Sequence, residues 1–191
     1  MLTVLVIDES RARAGEICAG LALAGYQVAA ILAGADNLTA EVEKRQPDVI
    51  LIDTDSPSRD TLENLAAMNK DMPRPVVIFT QEDGRETIRD AVRAGVSAYV
   101  VDGLDPKRIK PIVEVARARF EDTQALRREL DEISQKLTDR KLVDKAKGVL
   151  MKARGLDEEA AYHAMRKLAM ERGQTIAKVA RDVIDMARVL L

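Results

Sequence analysis

Three short runs of uninterrupted apolar residues constrain this chain most: Val4-Leu5-Val6-Ile7, Val49-Ile50-Leu51-Ile52 and Val76-Val77-Ile78-Phe79. A strand that alternates apolar and polar residues buries one face. A run that is apolar at every position must be covered on both faces, as in a parallel sheet flanked by helices. Val28–Leu32 and Ala98–Val101 are weaker runs of the same kind. Between the runs lie helical patterns at roughly 10–24, 38–46, 58–71 and 84–94, closed by Gly25, Pro47, Pro73 and Gly95. Gly suits the residue after a helix, and Pro cannot continue one. Strands alternating with helices in this way predict a (βα)5 doubly wound parallel sheet, an α/β fold whose sites gather at the carboxyl ends of the strands.

No comparable strand follows. Asp105-Pro106 forms an N-cap and first-turn pair, and Pro111 either kinks the helix that follows or marks its start. Leu126, Leu130, Ile133 and Leu137 then repeat with 4-3-4 spacing, the pattern of a short coiled-coil seam or of an ordinary amphipathic connector. Three more apolar stripes follow: Leu142, Val143, Ala146, Val149, Leu150, Ala153; then Ala161, Ala164, Met165, Leu168, Ala169 after the cap Asp157; then Ile176, Val179, Ala180, Val183, Ile184, Ala187 after the cap Thr175. Three amphipathic helices facing one another make a small bundle. The expected organisation is a domain over 1–120, a coiled-coil linker helix over 121–137 and a three-helix bundle over 138–191.

Charge separates the two ends. Residues 1–114 carry 13 Lys and Arg against 19 Asp and Glu, a net of −6, whereas residues 115–191 carry 17 against 13, a net of +4. A polyanion would therefore meet the second part. With two Phe, three Tyr and no Trp the core must be aliphatic, and any platform for stacking bases is small. One cysteine, Cys18, excludes an internal disulfide and a Cys-rich zinc site, and is expected as a small buried hydrophobe in the first helix. The apolar start lacks a basic n-region and a cleavage site, and no apolar run approaches the roughly 20 residues of a membrane span. The expected location is cytoplasmic.

Asp8 and Glu9 follow the first strand and Asp53 ends the third. Parallel strands bring these ends together, so the three acids should share one cleft. Such a cleft suits a hard divalent cation such as Mg²⁺, or presents a carboxylate as a phosphoryl acceptor. Thr80, ending the fourth strand, is placed to hydrogen-bond a phosphoryl oxygen. Acids at strand ends also occur through topology alone.

The second feature is a basic stretch in which Lys136, Arg140, Lys141, Lys145, Lys147, Lys152 and Arg154 face only Asp139 and Asp144. At 100° per residue Lys141, Lys145 and Lys152 lie opposite the apolar stripe with Gly148 among them, and Arg140, Lys147 and Met151 flank that face. A lysine stripe is often just a solvated face. A glycine in it costs the helix about 1 kcal/mol relative to alanine, which makes sense if a phosphate or another backbone approaches closely.

With these residues in view, residues 1 to about 120 resemble a response-regulator receiver domain: "VLVIDES" carries the acidic pair, "VILIDTDSP" the phosphoacceptor-like Asp53, "VVIFT" the switch threonine Thr80 and "AYVV" the switch aromatic Tyr99. The resemblance implies that the backbone carbonyl of Asp55 completes a Mg²⁺ site with Asp8, Glu9 and Asp53; no cofactor is required. The chain departs from the family after strand 5, where "YVVDG" puts Asp102 in the place of a lysine. Without that cation a phosphoryl group would join several carboxylates countered only by Mg²⁺, so phosphorylation of Asp53 is expected to be weak or not the physiological signal.

"DRKLVDKAKGVLMKARGLDEEAAYHAMRKLAM" resembles an ANTAR domain, a three-helix RNA-binding antitermination module. Within that family "LIDTDSPSRD" and the lysine-less strand 5 are most similar to nitrate-assimilation antiterminators of the NasT type, with amidase regulators of the AmiR type more distant. The resemblance implies binding to a pair of leader-RNA hairpins, which prevents a competing terminator. It also implies gating by a NasS-like nitrate-sensing protein, and the seam offers a route to a homodimer. Arg140, Lys141, Lys145, Lys147, Gly148 and Lys152 are the expected RNA-binding residues, joined by Tyr162 and Arg166 for base contact. Tyr162 equally suits a half-buried core position. The competing readings are a phosphorylation-activated two-component response regulator acting on nucleic acid and a stand-alone phosphoryl-transfer enzyme. The latter is disfavoured by the missing lysine and the lack of a nucleotide loop.

Overall fold

The structure is a computed structural model that describes residues 1–8, 13–101, 103 and 105–190. Glu9 and Asp102, both named above, lie outside the described residues. The chain divides into two compact units, Met1–Gln124 and Ala125–Leu191.

In the first unit β1 (Thr3–Asp8), β2 (Gln27–Leu32), β3 (Val49–Asp53), β4 (Val76–Phe79) and β5 (Ala98–Val100) form one sheet in the order β2-β1-β3-β4-β5. Every pairing is parallel. The strands alternate with α1 (Ala14–Leu23), α2 (Leu38–Arg45), α3 (Arg59–Asp71) and α4 (Arg85–Arg93), and α5 (Ile109–Arg154) follows β5. This is the doubly wound fold expected from the apolar runs.

The period of two along each strand splits the core between the two faces of the sheet. Leu5, Ile7, Ile50, Ile52, Val76 and Ile78 pack with Leu38, Val42, Leu65, Met68 and Ala91 of α2, α3 and α4. Val4, Val6, Val49, Leu51, Val77 and Phe79 pack with Ile17 and Leu21 of α1 and with Ile109, Val113 and Ala116 of α5. Cys18 is half-buried rather than fully enclosed, because it lies beside Ile17 on α1 and not on the α1 face turned to the sheet.

Local signals account for the element ends. Ser58 caps α3 by accepting from the Thr61 amide at 3.0 Å. Gly95, after α4, has φ +90°, which a side chain rarely adopts. Asp105 accepts from the Lys107 amide at 3.0 Å and caps a turn ahead of α5, while the helix itself starts at Ile109 with Pro111 in its first turn. Of the two expectations for Pro111, the structure takes the start.

α5 runs unbroken for 46 residues, with Gly148 inside it. Beyond Pro111 no proline interrupts it, and a single glycine only weakens a helix. In the second unit its last part packs with α6 (Glu158–Arg172) and α7 (Ile176–Leu190) around Ala146, Met165, Ala169, Val179, Ala180 and Ile184. Asp157 caps α6 by accepting from the Ala160 amide at 2.7 Å, and Thr175 accepts from Lys178 N at 3.3 Å at the start of α7. Ala153 and Ala164, expected on inner faces, are exposed at the rim of an apolar groove of about 630 Å³ lined also by Val149, Leu168, Val183 and Met186. Short alanine side chains do not reach across it.

Candidate functional site

Each unit holds one candidate site. In the first, the β1–β3 register sets Asp8 opposite Asp53 at the carboxyl ends of adjacent strands. Both are buried, at 0% and 1% exposure. Taking a carboxylate out of water disfavours its charged form, and burial accordingly raises the Asp53 pKa above its ordinary 3.8. The Arg13 guanidinium opposes the rise, while Asp8 and Asp55 add to it.

Arg13 is the pocket residue that the sequence reading missed. It stands where the chain enters α1, and its Nε lies 2.9 Å from Asp53 Oδ2 while its Nη2 donates to Asp55 Oδ1 at 3.0 Å. The Asp53 contact is a close ion pair without hydrogen-bond alignment, since among the described residues neither Asp53 oxygen has a hydrogen-bond partner. The signal was the "SRAR" run directly after the acidic pair, but sequence alone does not say which arginine turns inward. This corrects the expectation that only a divalent cation counters the pocket's carboxylates: a protein cation is already there.

Around it the switch positions are hydrogen-bonded. Thr80, buried at 1%, donates its hydroxyl to the Asp55 carbonyl oxygen at 2.8 Å, and the Gln81 amide donates to the same oxygen at 3.2 Å. The carbonyl that the family resemblance assigns to a cation thus already has two donors. Tyr99 is half-buried; its hydroxyl donates to the Glu82 carbonyl at 2.9 Å, and burial raises its pKa. Among the described residues no group of three or more His, Cys, Asp or Glu is arranged to hold a metal. Among the described residues, Arg13 and the two donors to the Asp55 carbonyl oxygen stand where a divalent cation would bind.

The second site lies on the last part of α5. Ala146 is buried against α6 and α7, so the opposite side of the helix faces solvent. Arg140, Lys141, Lys145 and Lys152 are exposed there, and a Cβ added to Gly148 would meet nothing within 4 Å. Gly148 therefore answers no packing need of its own unit.

Lys147 is placed differently from its neighbours. Its ammonium lies 2.7 Å from both Asp144 and Glu158, with the side chain 15% exposed. It pins the start of α6 to α5 and is held away from the basic face; the two carboxylates, Asp144 first, raise its pKa. Tyr162 is 40% exposed and Arg166 is exposed, one turn apart on α6. That agrees with a ring at the edge of the bundle more than with a core tyrosine. Met151 and Met170 add apolar surface, at 39% and 74% exposure.

The family profile of the response regulator receiver domain matches residues 4–114, more than half of the chain, and that of the ANTAR domain matches residues 131–184. The transcriptional regulatory protein PdtaR of Mycobacterium tuberculosis (strain H37Rv) is 29% identical over 161 residues, covering 84% of this chain and 78% of that protein. The nitrate regulatory protein of Klebsiella oxytoca is 36% identical over 85 residues, which span 44% of this chain but 22% of that protein. Among solved structures, a CheY-like receiver domain protein from Methanospirillum hungatei JF-1 superposes with a TM-score of 0.56 at 22% identity, covering 64% of this chain and 98% of that one. At such identity the likeness is one of fold.

Proposed function

Since the chain belongs to the response regulator receiver family and carries an ANTAR domain over residues 131–184, we propose that it is an RNA-binding transcription antiterminator. It acts by binding rather than by catalysis, in the cytoplasm, on a two-hairpin leader RNA whose capture prevents a terminator stem. The observation that carries this reading is the open strip on α5, where exposed Lys141, Lys145 and Lys152 surround a glycine with free space above it. Lysines supply phosphate neutralisation, and the bare backbone lets a sugar–phosphate strand come close. Arg140 extends the strip, and Tyr162 and Arg166 offer a ring and a guanidinium plane for loop bases.

The nitrate role is the finer part of the proposal. It rests on the resemblance to nitrate-assimilation antiterminators and on the likeness, over part of each chain, to the Klebsiella nitrate regulatory protein. A nitrate- or nitrite-sensing partner would hold the regulator until ligand arrives. Arg13 in the receiver pocket favours such gating over phosphorylation of Asp53. The functional division is a receiver-like part over 1–120, a linker over 121–137 and an RNA-binding part over 138–191. Leu126, Leu130, Ile133 and Leu137, each more than half exposed, would pair two copies through the linker.

The test is an electrophoretic shift of the full chain on leader-RNA hairpins and on duplex DNA of the same length. RNA should be preferred, with log affinity falling against log salt with a slope on the order of −3, for about four phosphates neutralised. Lys145→Glu should weaken RNA binding tenfold or more. Preference for duplex DNA, or a tenfold gain in affinity on treating the wild type with a small-molecule phosphodonor, would favour the phosphorylation-activated regulator instead.

A further inference from the structure

The receiver pocket combines three features that ordinarily call for a bound cation. Asp8 and Asp53 are buried side by side at adjacent strand ends, and Asp55 contributes a third carboxylate at the rim. Buried carboxylates without a countercharge are strongly disfavoured. For Asp53 and Asp55 the countercharge is covalently attached: the Arg13 fork spans buried Asp53 and exposed Asp55. Arginine suits that role because its guanidinium stays charged at any physiological pH and presents several donors in one plane.

We propose that Arg13 is a resident cation of this pocket and the residue that decides what Asp53 accepts, so that divalent cations are excluded from Asp53 while it is seated. Two further observations support this. Mg²⁺ demands near-octahedral oxygen ligands at about 2.0–2.1 Å, and it cannot take Asp53 Oδ2 without displacing the Arg13 Nε that lies 2.9 Å away. The Asp55 carbonyl oxygen, the backbone ligand such a site would use, already accepts from Thr80 Oγ1 and the Gln81 amide. A cation entering from solution must therefore break the ion pair and loosen the β4–α4 turn as well. Arg13 competes at the effective concentration of a tethered group, on the order of millimolar or above, and its side chain is one-third exposed.

Exclusion of this kind gives a physical basis for the phosphorylation-independent gating proposed above. It rests on the first unit alone, so it stands or falls separately from RNA binding. The test is isothermal titration of the full chain with MgCl₂ at low ionic strength, comparing wild type, Arg13→Met and the double variant Arg13→Met/Asp53→Asn. Arg13→Met keeps a long side chain and removes the charge. It should bind Mg²⁺ at least tenfold more tightly than wild type, and the double variant should lose that gain. Circular dichroism checks each fold, and Arg13→Gln replaces Arg13→Met if the latter does not fold. Mg²⁺ affinity of the arginine variant within threefold of wild type, or a gain that survives Asp53→Asn, would overturn the proposal.

Discussion

Replacing Gly148 separates what the fold needs from what a ligand needs. The residue lies within the last two turns of α5 but inside the helix, and a Cβ built there meets nothing within 4 Å. Alanine should therefore gain the full propensity difference, about 1 kcal/mol, without any steric cost. That is roughly a fivefold shift in the folding equilibrium of the second unit. Urea unfolding followed by far-UV circular dichroism reads it as a higher midpoint at unchanged slope. Leucine should also be tolerated, since its side chain extends into solvent. RNA binding should move the other way: slightly weaker for Gly148→Ala, and at least tenfold weaker for Gly148→Leu, which holds a backbone-hugging phosphate away. Gains in stability coupled to losses in affinity identify a glycine kept for its ligand. A destabilised Gly148→Ala would show that the glycine serves the fold, and Gly148→Leu binding within threefold of wild type would sink the close-approach argument.

Three other outcomes follow from named contacts. Asp157→Ala removes the acceptor for the Ala160 amide and should cost about 1 kcal/mol, read by urea unfolding; no loss would mean that water replaces the cap. The buried Tyr26 hydroxyl donates to Glu114 at 2.9 Å, and burial, then that bond, raises its pKa from 10.0 to about 12. Between those values the unfolded chain has released a proton that the folded chain retains, so wild-type stability should fall as pH rises from 10 to 12 relative to Tyr26→Phe. Parallel stability curves for the two proteins over that window would refute the assignment. Finally, Leu130→Glu introduces charge into the exposed Leu126–Leu137 seam. Light scattering should show a wild-type dimer become a monomer, and a monomeric wild type at tens of micromolar would end the pairing proposal.

The fold was legible because buried parallel strands impose a local rule: every position must be apolar, as at Val4–Ile7 and Val49–Ile52. The carboxylates Asp8 and Asp53 were legible for a related reason, since strand ends in a parallel sheet converge whatever the loops do. The basic strip was readable too, because helical periodicity alone sets Lys141, Lys145, Gly148 and Lys152 on one side. Each of these follows from a regular backbone period or from the topology that such periods imply, not from a particular side-chain partner.

Tertiary structure decided what depends on pairing between distant residues. Arg13 meets Asp53 and Asp55 across forty residues of chain, and no local pattern says that it turns toward them. The same holds for Lys147, whose position on the helix flank suggested a free cation until Glu158 of the next helix was seen to claim it. Strand and helix periods are fixed by backbone geometry, so they can be read from spacing. The partner of a long, flexible charged side chain is settled by competition among all nearby groups and water, and that competition exists only once the chain has folded.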